Sequence, residues 1–312
     1  MVEVPMMVQV TIAVPTFRRP QSLTRLLNAL AKLETSAVVT ILVADNDSER
    51  HEGFDVCAAL EDYRWPLDHF IAPERGIAQV RNALVERALE HPCDFVAMLD
   101  DDEWPEPQWL DAFLNVQAKT GADALHGDIL RDFETQPGRL AKRCDGIAPL
   151  LGETGPVAMI EGSGNIIVSR ACFEGLAKPC FDPAFALSGG EDRDFFERLR
   201  RQGRRFAWAK EARVHAWVPT SRAKLSWALM RAYRVGNSDM RVFLKHSHSA
   251  ADSARETAKI AGALLLFPLL FVILGLASNR AVDALRRLFR AAGKIAAALG
   301  RTYNEYAVTH GA

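Results

Sequence analysis

Residues 95–102 are Phe95-Val96-Ala97-Met98-Leu99-Asp100-Asp101-Asp102, five apolar residues followed directly by three carboxylates. An apolar run of this length without polar alternation predicts a strand that is buried on both faces, as in a parallel sheet. Ligands of open α/β sheets bind outside the carboxyl ends of the strands. Because adjacent carboxylates repel one another, the stretch indicates a site for a hard divalent cation at that edge. A solvated acidic turn is the alternative.

The composition is that of an ordinary globular protein. The chain has 312 residues, of which 49% are apolar and 25% are charged, and its net charge is −1. These values argue against a disordered chain and give no sign of general nucleic-acid binding. The five cysteines are scattered without metal-type pairs, which is typical of a reduced, cytoplasmic protein. Residues 1–14 lack a basic region followed by a long apolar run, so no signal peptide is expected.

Strand and helix patterns alternate over residues 8–217. Apolar or β-branched runs predict strands at 8–14, 38–44, 67–71, 95–99, 122–130, 165–168 and 206–215, with helical spacing in most of the segments between them. Acidic residues follow two of these strands, at Asp45 and Asp100. This order favours right-handed parallel units with a ligand at the carboxyl edge. Between residues 131 and 157 the pattern fades, as in a variable connection that faces a substrate.

Five segments match, in order, the motifs of one enzyme family. They are Val10–Phe17, Val43–Ser48, Gly76–Ala83, Leu99–Glu103 and Gly189–Asp192. Their order and spacing resemble those of the family 2 glycosyltransferases, and most of all the subgroup that builds bacterial exopolysaccharide repeat units on a lipid carrier. The resemblance implies the GT-A fold, an α/β fold whose Rossmann-like mixed sheet is flanked by helices. It places a nucleotide-sugar-binding half at 1–103 and an acceptor half at 104–220 of the catalytic domain.

The resemblance implies a divalent metal, Mg²⁺ or Mn²⁺, which would neutralise the diphosphate of a nucleotide-sugar donor. Asp102 matches the final Asp of the family's DxD motif and is expected to bind the metal. Asp100, the first Asp, is expected near the ribose or in contact with the metal through water. His215 stands where resembling enzymes often complete the metal shell; an ordinary hydrogen-bonded histidine is the alternative.

The resemblance also assigns the nucleotide pocket and the donor phosphates. Pro15, Thr16 and Asp45 match the pocket, in which Asp45 would accept a hydrogen bond from the uracil ring. Arg81 matches the arginine that faces the phosphates, whose oxygens suit its planar guanidinium. The alternatives are a simple turn residue for Asp45 and a surface helix residue for Arg81.

The acceptor half must supply a base, because a sugar hydroxyl that attacks the anomeric carbon loses its proton. Asp192 matches the family's catalytic base and begins a predicted helix, whose N-terminus is expected to keep the carboxylate ionised. A plain helix N-cap is the alternative. Glu191 is the neighbouring candidate for acceptor binding. The Gln-x-x-Arg-Trp motif of processive synthases is absent, which favours the addition of a single sugar.

The predicted function is therefore inverting transfer of one sugar from a nucleotide-diphosphate sugar, most simply a UDP-sugar, to a lipid-linked or glycan acceptor. The product would be an exopolysaccharide or another cell-surface glycan. A nucleotidyltransferase of similar fold and a non-catalytic, nucleotide-sugar-binding membrane scaffold are the alternatives. A haloacid-dehalogenase-like phosphatase is disfavoured, because Trp104 occupies the position where that chemistry requires Thr or Val.

Residues 221–312 are expected to form a helical, membrane-associating region. The uncharged segment 260–279 is long enough to span a bilayer, but basic residues flank it on both sides, which favours a re-entrant hairpin bent at Pro268. Residues 281–300 predict a basic amphipathic helix lying on anionic headgroups. A soluble hairpin that packs on the catalytic domain or in a homo-oligomer is the alternative. The expected location is the cytoplasmic face of the bacterial inner membrane, as a peripheral or monotopic protein.

Overall fold

The computed structural model describes residues 7–138, 152–160, 162–246, 248–278 and 281–303. The described strands are β1 (Gln9–Thr16), β2 (Val38–Asp45), β3 (Leu67–Ile71), β4 (Phe95–Met98), β5 (Glu103–Pro105), β6 (Ala124–Phe133), β7 (Gly155–Val157), β8 (Ile166–Ser169) and β9 (Phe206–Val218). The described helices are α1 (Pro20–Leu30), α2 (Glu52–Ala58), α3 (Ile77–Glu90), α4 (Trp109–Thr120), α5 (Arg170–Glu174), α6 (Glu191–Arg201), α7 (Leu225–Lys245), α8 (Ala250–Leu265), α9 (Phe267–Ser278) and α10 (Ala281–Ala298). Much of the connection predicted at 131–157 lies outside the described residues.

All nine of these strands belong to one mixed sheet, the type of sheet that the family resemblance implied. Its order is β3-β2-β1-β4-β8-β6-β9-β5, and β7 pairs separately with β9. Strands β1 to β4 are mutually parallel, whereas β8 is antiparallel to both β4 and β6. The parallel pairing expected for residues 95–99 therefore holds on the β1 side of β4 only. The change of direction at β8 places the acidic end of β4 where the two halves of the sheet meet.

Helices cover both faces of the sheet, which explains why the central strands are continuously apolar. On one face, β1 and β2 pack against α1 and α4 through fully buried side chains such as Leu26 and Phe113. On the other face, β4 and β8 pack against α3 and α6 through Leu84 and Phe195. Burial of one such side chain contributes about 1.5–3 kcal/mol. The two layers hold the carboxyl ends of β1, β2 and β4 at one edge.

Helix α10 packs along α7 and does not present its small-residue face outward. The side chains buried on it include Val282, Ala284 and Ala291. At the crossing, a Cβ on Gly293 would overlap the carbonyl oxygen of Tyr233, so the two backbones are in close contact. This buried face shares only Ala284 with the apolar face that was predicted to lie on headgroups, so the prediction of headgroup contact for residues 281–300 stays a prediction.

The apolar segment predicted at 260–279 is divided between α8 and α9. No single helix in the described ranges is long and apolar enough to cross a membrane. Residues 250–265 together with 267–273 meet the length and composition test only as a pair bent by 58°. The bend falls next to Pro268, where the sequence predicted it. Residue 279 lies outside the described residues.

Helix α7 is fixed to the catalytic sheet through α6 and the loop before it. Asp194 on α6 is fully buried, and its carboxylate lies 2.8 Å from Lys245 Nζ and 2.9 Å from His246 Nε2. Ser238 on α7 donates a hydrogen bond of 3.1 Å to the carbonyl of Gly189. The C-terminal helices thus hold the segment that carries the predicted base.

Candidate active site

A cleft of about 330 Å³ lies at the carboxyl edge of the sheet. Its walls are the segment after β1, the acidic turn after β4 and one face of α7. The sequence-predicted residues that line it are Pro15, Thr16, Arg81, Asp100 and Asp102. Its position outside the strand ends is the one expected for a ligand site in an α/β sheet.

Asp101 holds the segment after β1 in place. It is buried, and its carboxylate accepts hydrogen bonds of 2.9 Å from Thr16 Oγ1 and 2.9 Å from Arg19 Nη1. Burial raises its pKa to about 6, which the charge of Arg19 opposes and that of Asp102 reinforces. The middle aspartate, to which the sequence assigned no role, therefore braces the wall of the cleft.

Asp100 and Asp102 differ from Asp101 in their partners. Asp102 Oδ2 lies 3.2 Å from Arg19 Nη1 and 3.4 Å from Arg222 Nη1. Burial raises its pKa, which the charge of Arg19 opposes. Asp100 is 41% exposed at its side chain and lies 3.1 Å from Arg81 Nη2. Arg19 closely follows Thr16 and Arg222 closely follows His215 in the chain, but neither arginine lies in a matched segment. The sequence alone therefore did not single them out.

The carboxylate oxygens of Asp100 and Asp102 suit a divalent cation whose remaining ligands come from a substrate. Mg²⁺ is commonly held by one or two carboxylates together with substrate phosphates and water. Both carboxylates line the cleft. Within the described residues, no group of three or more His, Cys, Asp or Glu side chains is arranged to hold a metal by itself. A cation here would therefore depend on ligands from the donor.

His215 is not brought to Asp102. Its Nδ1 lies 3.1 Å from Asp132 Oδ2, and its ring stacks on Trp104 with centroids 5.6 Å apart. It does not line the cleft that the described residues form. The described contacts are those of the alternative, a hydrogen-bonded histidine, and a metal-binding role for His215 stays a prediction.

Arg81 joins the two acidic motifs across the cleft. Its side chain is buried, its Nη1 pairs with Glu191, and its Nη2 pairs with Asp100. The surface-helix alternative is therefore wrong for Arg81. The guanidinium that was expected to face donor phosphates is held by protein carboxylates, while the residue still contributes to the cleft wall.

Glu191 and Asp192 begin α6 after two glycines in left-handed backbone. Gly189 has φ +73° and Gly190 has φ +101°, conformations that residues with a Cβ rarely adopt. Glu191 is 1% exposed. Burial raises its pKa to about 7, with Asp192 reinforcing and Arg81 opposing the shift, and its Oε2 has no hydrogen-bond partner.

Asp192 is half-buried, and its Oδ1 accepts a 2.7 Å hydrogen bond from the backbone of Arg193. Burial raises its pKa, although the charges of Arg81 and Arg234 oppose the rise. The helix N-terminus was expected to keep this carboxylate ionised, and that expectation stays a prediction. A raised pKa brings a carboxylate closer to the range useful for a general base.

Asp45 organises a turn below the cleft. It is 1% exposed, and its oxygens accept backbone N–H groups of Asp47 (3.0 Å), Gly53 (2.8 Å) and Phe54 (3.0 Å). These contacts are those of the turn-residue alternative, and the uracil contact implied by the resemblance stays a prediction. The neighbouring Asn46 lines the cleft instead.

Residues 11–145 match the sequence model of glycosyl transferase family 2, a range that includes Pro15, Arg81 and Asp102. Over these residues the chain is similar to the family 2 glycosyltransferases. The chain is 28% identical over 248 residues to the succinoglycan biosynthesis protein ExoM of Rhizobium meliloti (strain 1021), covering 77% of this chain and 76% of that protein.

Two solved structures share the GT-A fold of this glycosyltransferase. The S. aureus TarS fragment 1–349 in complex with UDP-GlcNAc is 14% identical with a TM-score of 0.52, covering 95% of this chain and 93% of that one. GalNAc-T7 with UDP, GalNAc and Mn²⁺ is 13% identical with a TM-score of 0.55, covering 76% and 51%. At these identities the likeness concerns the fold alone.

Proposed function

We propose that this glycosyltransferase transfers a single sugar, with inversion, from a UDP-sugar to a lipid-linked or glycan acceptor in exopolysaccharide synthesis. The observation that carries the proposal is the pairing of Arg81 with both Asp100 and Glu191, which joins the acidic turn after β4 to the N-terminus of α6, the helix of the proposed base. The name of the R. meliloti relative supports a polysaccharide product. The UDP-GlcNAc and UDP–Mn²⁺ complexes of the structural neighbours support the donor class and a cation.

In the proposed reaction, Asp192 accepts the proton of the acceptor hydroxyl. The hydroxyl oxygen forms a bond to the anomeric carbon while the bond from that carbon to the diphosphate oxygen breaks, and the diphosphate leaves with the electron pair. A single displacement inverts the anomeric centre. A divalent cation held by Asp102 and Asp100 would neutralise the leaving group when bound. Arg19 and Arg222 add positive charge at the same wall.

The test is turnover and donor binding of Asp192→Asn. Isolated membranes with Mg²⁺ or Mn²⁺ and a panel of UDP-sugars reveal the donor through UDP release. Loss of a general base lowers turnover about 10²- to 10⁴-fold, whereas UDP affinity by calorimetry changes little. Asp55→Asn, an exposed aspartate in the first turn of α2, is the matched control. Wild-type turnover in Asp192→Asn would remove this residue as the base.

A second variant tests the cation. Asp102→Ala should lose the metal-dependent part of UDP affinity, because the remaining Asp100 provides one carboxylate where two are proposed. Calorimetry with and without added Mn²⁺ measures that part directly. If Mn²⁺ strengthens UDP binding equally in wild type and Asp102→Ala, Asp102 is not its ligand.

We further propose that the enzyme lies on the cytoplasmic face of the inner membrane through the corner of α8 and α9. Several large apolar side chains are exposed there, Leu264, Leu265, Leu266, Leu269, Phe271, Val272 and Ile273. Contiguous exposed apolar surface of this kind marks interaction sites, and exposed Arg255 and Lys259 on α8 suit anionic headgroups.

Cosedimentation with anionic vesicles tests this location. Leu265→Asp with Leu269→Asp should release the protein into the supernatant, because both side chains are exposed at the corner. Leu299→Asp, at an equally exposed leucine beyond the end of α10, is the control and should stay bound. Equal sedimentation of all three proteins would refute the proposed contact.

A further inference from the structure

The loop before α6, residues 184–190, connects the cleft to the helix of the proposed base. Leu187 in this loop lines the cleft. Ile77 at the start of α3 holds one side of the loop, because its backbone N–H donates a 3.2 Å hydrogen bond to the carbonyl of Ala186. The loop ends two residues before Asp192. The contacts on its other side therefore bear on where the proposed base lies.

Arg241 on α7 holds that other side of the loop. Its Nη1 donates a hydrogen bond to the hydroxyl of Ser188, and its Nη2 donates one of 2.7 Å to the carbonyl of Ala184. The same guanidinium lies 4.5 Å from the ring centroid of Phe185. One arginine side chain therefore contacts three residues of the loop.

Ser238, one turn before Arg241 on α7, extends these contacts to the glycine pair. It is buried, and its hydroxyl donates a 3.1 Å hydrogen bond to the carbonyl of Gly189. A Cβ on Gly190 would lie 2.8 Å from the Cβ of Ser238, so the loop backbone and α7 are in close contact. We call Ser238 and Arg241 together the α7 anchor.

The first turn of α6 depends on the loop, because the first N–H groups of a helix have no partner within the helix. Asp192 lies in that turn. The backbone hydrogen bond that closes the turn runs from the N–H of Asp194 to the carbonyl of Gly190, at 3.0 Å. The apolar side chains that pack α6 into the core begin only at Phe195. The position of Asp192 is therefore set from Gly190 as well as from the core.

We propose that Arg241 is a positioning residue for the base Asp192 and that Ser238 assists it. The proposal rests on the glycosyltransferase function proposed above, in which Asp192 accepts the proton of the acceptor hydroxyl. Arg241 does not line the cleft that the described residues form, so it is not expected to touch the donor. Its loss should lower turnover through Asp192 and leave donor binding unchanged.

Steady-state kinetics of Arg241→Gln, with the UDP-sugar that the wild type uses, tests the proposal. The kcat should fall about tenfold to a hundredfold, because misplacement by about 1 Å can cost about 10²-fold. The KM for the donor and the UDP affinity measured by calorimetry should stay within about twofold of the wild-type values, since the donor contacts remain. Arg241→Lys keeps the charge but loses the planar fork, so it should recover part of the kcat.

Ser238→Ala tests the anchor with a smaller change, one that does not depend on whether Arg241→Gln folds. It removes one hydrogen bond to the loop, and its kcat should fall about two- to tenfold with the donor KM unchanged. A wild-type kcat in both Ser238→Ala and Arg241→Gln would refute the positioning role.

Arg170→Gln is the matched control. Arg170 begins α5 and does not line the cleft, and its guanidinium donates hydrogen bonds of 2.9 Å to the carbonyls of His91 and Leu89. Its loss removes the same kind of contact at a distant place, so it should lower thermal stability and leave the kcat of the folded protein unchanged. An equal fall of kcat in Arg170→Gln and Arg241→Gln would reduce Arg241 to a general structural role and refute the proposal.

Hydrogen exchange tests the anchor without turnover. Backbone amides of residues 189–194 should exchange faster in Arg241→Gln than in the wild type, whereas those of residues 195–201 should exchange at the same rate. Unchanged exchange over residues 189–194 would refute the anchor. A wild type that turns over no UDP-sugar would instead count against the proposed function, so the two failures are distinguishable.

Discussion

Replacing Glu191 by glutamine measures what it costs to bury a carboxylate beside the proposed base. Glu191 is 1% exposed, and burial raises its pKa from the ordinary 4.5 to about 7, with Asp192 reinforcing and Arg81 opposing the shift. Glutamine has nearly the same shape and can still accept a hydrogen bond from Arg81. The variant therefore removes the charge with little change of packing.

The magnitude follows from the two pKa values. The folded pKa of Glu191 lies above the unfolded one, so its favourable contribution is complete below pH 4.5 and is lost as the pH rises to about 7. One pKa unit corresponds to 1.36 kcal/mol, so the wild type loses about 3 kcal/mol over this range. Glutamine does not titrate, so Glu191→Gln should escape that loss.

Urea unfolding at pH 5 and pH 8 provides the assay. Between pH 5 and pH 8, the free energy of unfolding of Glu191→Gln should rise by about 2–3 kcal/mol relative to that of the wild type. Glu197→Gln in the same helix is the control. Although burial opposes it, hydrogen bonds from Arg200 and Arg201 lower the pKa of Glu197 to about 2, so this group stays ionised throughout the range. Parallel pH profiles for wild type and Glu191→Gln would refute the reasoning.

Two further predictions concern the packing and the core. Gly293→Leu should separate α10 from α7, because a side chain there overlaps the Tyr233 carbonyl. Thermal melts should show a free energy of unfolding that is lower by about 1–3 kcal/mol. Gly262→Ala, whose added Cβ would meet no neighbouring atom, should be neutral or slightly stabilising in the same measurement. Burial lowers the pKa of His126 to about 4, so the wild type should lose about 3 kcal/mol of stability as the pH falls from 6.5 to 4. His126→Phe should not show this loss in urea unfolding, and equal losses in both proteins would contradict the assignment.

The sequence predicted the first half of the sheet well because each strand there is a buried apolar run. The strands β1 to β4 each end within two residues of the predicted limit. Short strands were missed, since β5 and β7 have three residues each and owe their pairing to β9, which follows far along the chain. Periodicity carries no information about such a partner.

The same limit of sequence patterns applies to the predictions for the site residues. Segment order placed Asp100, Asp102 and Glu191 near one cleft, because strand ends and helix starts meet at a sheet edge. It did not reveal that Asp45 would be saturated by backbone N–H groups, nor that His215 would turn toward Asp132. Those contacts depend on side-chain direction, which the sequence pattern does not determine.

The side-chain partners of Asp194 have a consequence for the order in which the chain folds during synthesis. Domains generally begin to fold from the N-terminus as they leave the ribosome. Asp194 is buried in α6, yet two of its partners, Lys245 and His246, are made some fifty residues later. A buried carboxylate without its partners is costly. We therefore expect α6, and the proposed base with it, to reach its final position only after α7 has emerged, so that a nascent chain gains a complete active site late.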